Sequence, residues 1–269
     1  MVTPGIWPAL DYSRVPYRLY HDAELYSREQ ERIFRGPVWS FLGLDAEIPN
    51  PGDFRATYLG ETPIIFNRDE KGAVQAFVNR CVHRGALVRR ELSGNAANHI
   101  CIYHQWCYGL DGSLTAIPFR RGIRGKGGLD PNFDMGAHGL RPLRVGHIKG
   151  ALFGTLAEDA EPLEDYLGPP VLTQLRRLFD RPVRVLGYNR QRIRGNWKLY
   201  AENTRDNYHA SYCTSSSSPS GSTAQHKWAA SRWTLAIATT LLGRRPTATL
   251  TNSRIRLMSA PGFAMISCH

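Results

Sequence analysis

The stretch that decides the reading is Cys81-Val-His83-Arg84-Gly85, followed after fifteen residues by Cys101-Ile-Tyr103-His104-Gln105-Trp106. Each short segment supplies one cysteine and one histidine. Two thiolates and two imidazoles make a four-ligand metal site, and two centres accept that donor set. A structural zinc usually takes it as Cys-x2-4-Cys followed by His-x3-5-His. A [2Fe–2S] cluster can take the two cysteines on one iron and the two histidines on the other. Here the order alternates, as a cluster needs if two loops clasp it from opposite sides. The spacing favours the cluster, with zinc as the alternative, and the ligands of either would be Cys81, His83, Cys101 and His104.

Cys-x-His-Arg-Gly followed by Cys-x-Tyr-His-x-Trp resembles the Rieske signature of aromatic-ring-hydroxylating oxygenase large subunits. Phe41 to Phe54, Gly109-Leu-Asp-Gly112, Ile117-Pro-Phe-Arg120 and Gly195-Asn-Trp-Lys198 resemble the same family. The resemblance runs over most of positions 13 to 211 and stops there.

Size and composition agree with a globular protein. With 269 residues, one or two domains can each bury a core. Hydrophobic content of 42% and charged content of 21% are ordinary. No apolar run reaches the eighteen or so residues of a membrane span, and Met1-Val-Thr-Pro-Gly5 lacks the pattern of a secretory signal. Five cysteines, two of them taken as ligands, argue against a disulfide framework and for a reducing cytoplasm. Cys107 reads as a small buried hydrophobe. The net charge of +11 would suggest nucleic acid, but its distribution argues otherwise. All 23 acidic residues precede position 213, against 28 Lys and Arg there, while the last 57 residues hold six basic residues and no acid. No basic-striped helix accompanies the excess, so neither nucleic acid nor membrane is an expected partner.

Along the chain, the spacing predicts an extended arm, then a helix over Asp22–Phe34 with Tyr26 and Ile33 on one face and Asp22 at its cap. From Val38 to about Leu156 short β runs alternate with turns, clearest at Thr62–Phe66, Ala73–Val78, His99–Tyr103 and Ala151–Leu156. Trp106 is placed to shield the metal centre from water. Arg120–Gly128 reads as a flexible solvated loop. Pro162–Phe179 reads as two short helices broken at Gly168-Pro169-Pro170, Val183–Tyr188 as a strand, and Asn196–Ser211 as a helix.

On that last helix Glu202, Asp206 and His209 fall at i, i+4 and i+7, sharing one face. Glu202-Asn-Thr-Arg-Asp206-Asn-Tyr208-His209 is similar to the segment that supplies the first mononuclear-iron histidine in Rieske oxygenases. The resemblance implies His209 as an Fe(II) ligand and Asp206 as the bridge that carries electrons to it from a Rieske histidine of a neighbouring subunit. A carboxylate on a metal-bound imidazole also fixes ring orientation. The family's second histidine would stand at position 214, which holds Thr214, flanked by Cys213 and Ser215. The third ligand, a carboxylate, would come well over a hundred residues later. One of the three ligands of a facial triad is in hand.

The tail reads as a reading-frame shift. Its 57 residues carry 18 Ser or Thr and no amphipathic period. If one base is missing just after Ser211, Tyr212-Cys213-Thr214 spelled TAC-TGC-ACN becomes NTA-CTG-CAC. That restores a histidine at position 214, and Ser215–Ser218 as TCN codons become aliphatic or Phe codons.

The resemblance implies an α+β protein. Residues 38–157 would be a Rieske-type antiparallel β domain. Residues 1–37, the arm and helix, and 158–211 would begin an incomplete α+β catalytic domain, with 212–269 an aberrant, disordered tail. It implies an oxidoreductase, a dioxygenase of aromatic catabolism. Its [2Fe–2S] cluster and mononuclear Fe(II) would hydroxylate an aromatic compound with dioxygen. Asp45–Phe54 and Glu202–Asp206 point among these to aromatic acids such as anthranilate or salicylate. Electrons from NAD(P)H would arrive through a reductase and a ferredoxin. A small β subunit and a homotrimer or hetero-hexamer belong to the same implication. The rival reading is a non-catalytic Rieske electron-transfer protein, which leaves the N-terminal helix and Asn196–His209 without purpose.

Overall fold

Alternation of apolar side chains along the strands builds the molecule in layers. The computed structural model describes residues 15–188 and 193–205, with the backbone alone at 204–205 and 257–259. Strands β1 (Ser40–Leu44), β2 (Asp53–Leu59), β3 (Thr62–Arg68), β4 (Val74–Val78), β5 (Ser93–Asn95), β6 (His99–Ile100), β7 (Cys107–Tyr108), β8 (Leu114–Ala116), β9 (Arg144–Ile148) and β10 (Ala151–Thr155) form three antiparallel sheets. Their orders are β1-β10-β9, β4-β3-β2-β5 and β6-β7-β8.

Period two decides what each face meets. Ile64 and Phe66 of β3 and Ala76 of β4 pack against Leu42, Leu143 and Leu152 of the first sheet and its flanks. Ile65 and Phe77, one residue out of step, face the opposite way and pack with Cys81, Cys101, Trp106 and Tyr108. Full burial of Ile64 and Ile65 stabilises the fold by about 1.5–3 kcal/mol each. The other face of the first sheet, Trp39, Phe41, Ala151 and Phe153, receives helix α3 (Leu163–Leu178) through Leu163, Leu172 and Leu175. The layers therefore run helix, sheet, sheet, then the small sheet, whose β6–β7 connection carries the second Cys/His segment, while the first follows β4 of the four-stranded sheet. The fold is α+β with antiparallel sheets.

The helices follow the sequence with informative differences. The chain starts with α1 (Arg18–His21) and α2 (Ala23–Glu29), and Asp22 caps α2 by accepting from the Leu25 N–H at 2.9 Å. The predicted helix continues as one π-helical turn, Gln30–Phe34. Its wider winding makes Phe34 rather than Ile33 the fully buried partner of Tyr26. Helix α3 breaks where predicted: Gly168 takes φ 68° and ψ 163°, and Pro169 and Pro170 have no N–H to give. The predicted strand at Val183–Tyr188 shortens to β11 (Val183–Val185). The last predicted helix is α4 (Trp197–Arg205), and its continuation to Ser211 lies outside the described residues. Of the tail, only the backbone of β12 (Leu257–Ser259) is described, antiparallel to β11, so the reading-frame expectation also lies outside. The Arg120–Gly128 segment is exposed, with backbone bonds between Ile123 and Lys126 in both directions and Arg120 reaching Met135 and Phe133. No described helix is long and apolar enough to cross a membrane.

Candidate metal centre

The two Cys/His segments fold into the same loop. In the first, the Cys81 N–H donates to the Ala86 carbonyl and the Gly85 N–H to the Cys81 carbonyl, both at 2.8 Å. In the second, Cys101 N–H donates to Trp106 at 2.9 Å and Gln105 N–H to Cys101 at 2.8 Å. Each loop turns through a left-handed residue, Gly85 at φ 71° and Gln105 at φ 55°. The predicted strand His99–Tyr103 stops at Ile100 because this turn begins at Cys101. Both cysteines sit at the loop bases and are buried, 3% and 1% exposed. Both histidines ride at the tips, His83 exposed and His104 half-buried, with ring centroids 4.6 Å apart.

The surroundings match the two ends. Tyr108, fully buried on β7, places its hydroxyl 3.2 Å from Cys81 Sγ and accepts from the Val82 N–H at 3.2 Å. That leaves its own hydrogen for the sulfur. Burial pushes the Cys81 thiol up, and the neighbouring Cys101 sulfur adds to this. Burial also raises Tyr108, as does its bond to Cys81. At the tips, Trp106 stacks on His83 with centroids 4.9 Å apart and planes 3° apart, and is itself 7% exposed. It covers one face of that imidazole, beside the metal centre that the sequence reading expects it to shield from water. Desolvation, then His104 and Arg84, holds His83 below its usual range. The histidine edge opens on a cleft of roughly 410 Å³ that Phe119 and Leu129 also line.

This donor arrangement distinguishes the two candidate centres. Zinc needs its four donors at about 2.0–2.3 Å from one ion. Among the described residues, no three His, Cys, Asp or Glu side chains converge on one point. Cys81, His83, Cys101 and His104 instead form a buried sulfur pair and a separate imidazole pair. A cluster that takes two protein ligands on each iron fits that division.

A polar ring behind the loops ties them together. Asn79, 3% exposed, accepts from the Val88 and Arg89 N–H groups and donates to the Arg89 carbonyl. The Arg89 guanidinium donates to His99 Nδ1 at 3.1 Å and to the Asn98 carbonyl, and lies over the Phe54 ring. His99, fully buried on β6, passes its Nε2 hydrogen to Asn67 Oδ1 at 3.1 Å. Burial first and Arg89 second push its pKa down to about 4, so the ring is neutral. Sequence reasoning missed Asn79, Arg89, His99 and Tyr108, since none stands at a ligand spacing. The available signal was a histidine and a tyrosine in runs that otherwise read as β core. Cys107 is half-buried, less enclosed than its sequence reading.

The second predicted constellation is described only at its start. Glu29, 8% exposed, accepts from Trp197 Nε1 at 2.9 Å and Lys198 Nζ at 2.6 Å, pinning α4 to α2. Asn196 Nδ2 donates to the Tyr20 carbonyl at 3.0 Å. The Tyr20 hydroxyl donates to Glu202, 2.7 and 2.9 Å from its two oxygens, and burial followed by that carboxylate raises its pKa to about 12. Asp206 and His209 lie outside the described residues.

Comparison with known proteins agrees with this geometry. Residues 38–125 match the Rieske [2Fe–2S] domain family. The anthranilate 1,2-dioxygenase large subunit of Burkholderia cepacia is 51% identical over 205 residues, which are 76% of this chain and 48% of that protein. The salicylate 5-hydroxylase large oxygenase component of a Ralstonia species is 47% identical over 208 residues, 76% of this chain and 49% of that one. Among solved structures, naphthalene 1,2-dioxygenase from a Rhodococcus species superposes with TM-score 0.65 at 36% identity, covering 74% of this chain and 45% of that one. The chain spans about half the length of the curated relatives it matches.

Proposed function

We propose, on the premise that residues 38–125 are a Rieske [2Fe–2S] domain, that the chain is the cluster-bearing part of a ring-hydroxylating oxygenase large subunit. The observation that carries this is the division of Cys81 and Cys101 from His83 and His104, buried sulfurs below and imidazoles at an accessible edge. A cluster held there supplies one-electron transfer. Within this reading, Cys81, His83, Cys101 and His104 are its ligands. Tyr108 donates to a ligand sulfur, Trp106 shields one face of a ligand imidazole, and the histidine edge is the exit for electrons. Asp206 and His209 take the roles of bridge and first iron ligand. Reductase, ferredoxin, a small subunit and assembly into a trimer or hexamer complete the proposal. Aromatic acids are the substrate class, supported by anthranilate and salicylate in the relatives' names.

A free-standing electron carrier is the second reading. The buried Glu29 contacts to Trp197 and Lys198 favour the oxygenase, because they fix a helix that leads directly to Asp206 and that a carrier does not need. With a reductase, NADH, ferrous iron and a panel of aromatic acids, the purified chain should show cluster bleaching but no hydroxylated product. In this reading Thr214 stands where the second imidazole of the facial triad belongs. Product formed by this chain contradicts that expectation. A chain continued in the alternative frame after Ser211 should hydroxylate an aromatic acid, and failure to do so with a reducible cluster favours the carrier.

A further inference from the structure

Arg89 is bonded to the chain on the approach to both cluster loops. Asn79, two residues before Cys81, holds its N–H and carbonyl. Its guanidinium in turn holds Asn98 and His99, three and two residues before Cys101. The side chain is half-buried, packed over the Phe54 ring at 4.6 Å. Among the described residues no carboxylate pairs with it, and Glu91 attracts it without an ion pair. The positive charge is therefore held in the fold without an ion-pair partner among the described residues, anchored to the Nδ1 lone pair of His99.

We infer that Arg89 is a positioning residue for the cluster. Through His99 and Asn98 it fixes the second ligand loop against the first, and its unpaired charge keeps the reduction potential higher than the ligands alone would. The sign follows from charge. Reduction adds one negative charge to the cluster, and a fixed cation inside the fold favours that state. Net charge around a cluster is one of the properties that set its potential. His99 is the seat rather than the source of the effect, since it contributes a lone pair at Nδ1 and holds the guanidinium in place.

This inference rests on the cluster reading, and the experiment separates the two. The midpoint potential of the holoprotein is measured for the parent, Arg89→Lys, Arg89→Gln and the double variant Arg89→Leu/His99→Phe, with absorption spectra and thermal melts of each. The double variant removes both partners of the Arg89–His99 bond together, at the cost of the His99 bond to buried Asn67 Oδ1; Arg89→Gln keeps a side chain that can still donate to His99 Nδ1, so the two variants test the inference by separate routes. The result expected is a shift to lower potential in Arg89→Gln and in the double variant, with Arg89→Lys close to the parent. An unchanged potential in the double variant, with its cluster spectrum intact, overturns the inference and leaves the pair purely structural. An equal drop in Arg89→Lys overturns the role of charge. A parent protein without cluster absorption overturns the reading beneath it instead.

Discussion

At the residue scale one sulfur, Cys81 Sγ, has a buried hydroxyl against it. Tyr108 has its oxygen occupied by the Val82 N–H, so its proton points to Cys81 Sγ. Donation to a ligand sulfur disperses the charge that reduction adds. Tyr108→Phe should therefore keep the cluster and lower its potential by roughly 20–60 mV, the one-electron equivalent of a bond worth ~0.5–1.5 kcal/mol. Redox titration checks this, and an unchanged potential with the cluster intact removes Tyr108 from the tuning. The four ligands were legible in the sequence because chemistry restricts them to Cys and His at short spacings. Tyr108, Arg89 and Asn79 were not, because their partners lie 27, 10 and 10 residues away and close only in the folded sheets.

At the element scale, turns set the register of the sheet beneath the loops. Asp69 closes the β3–β4 hairpin, accepting from the Lys71 and Ala73 N–H groups and from Gln75 Nε2 at 2.8–2.9 Å. Burial alone would raise its carboxyl, but the bonds from Gln75, Ala73 and Lys71 outweigh it and hold the pKa below the usual 3.8. A depressed folded value means the unfolded chain binds the proton more readily. This contribution is thus full above pH 3.8 and is lost as pH falls through the lower folded value. Melting curves between pH 5 and pH 2 should show a smaller acid destabilisation for Asp69→Asn than for the parent, and equal slopes would contradict the assignment. Asp69–Gly72 and the break at Gly168 were readable from local residue types. The π turn at Gln30–Phe34 was not, since nothing in its composition separates it from an α-helix, and it changes which aromatic is buried.

At the scale of the whole molecule, residues before and after the β layers meet each other. Glu29 contacts Trp197 and Lys198 across 168 and 169 residues of sequence. Glu29→Ala leaves the buried Trp197 N–H without a partner and the half-buried Lys198 ammonium with only the Trp197 ring beside it, at a cost of about 1–3 kcal/mol. Limited proteolysis should then cut near α4 while the absorption of the cluster persists, and unchanged protection would show that α4 is held otherwise. Such pairing was invisible to a reading by segments, although the family resemblance had grouped the two flanks. Both Cys/His loops, Cys81–Gly85 and Cys101–Trp106, serve a [2Fe–2S] cluster rather than a zinc ion in the proposed function. Metal and acid-labile sulfide analysis of the purified chain, read with its visible spectrum, tests it most directly. A bound cluster gives a coloured protein with about two irons and two sulfides per chain; a colourless protein holding about one zinc would refute it.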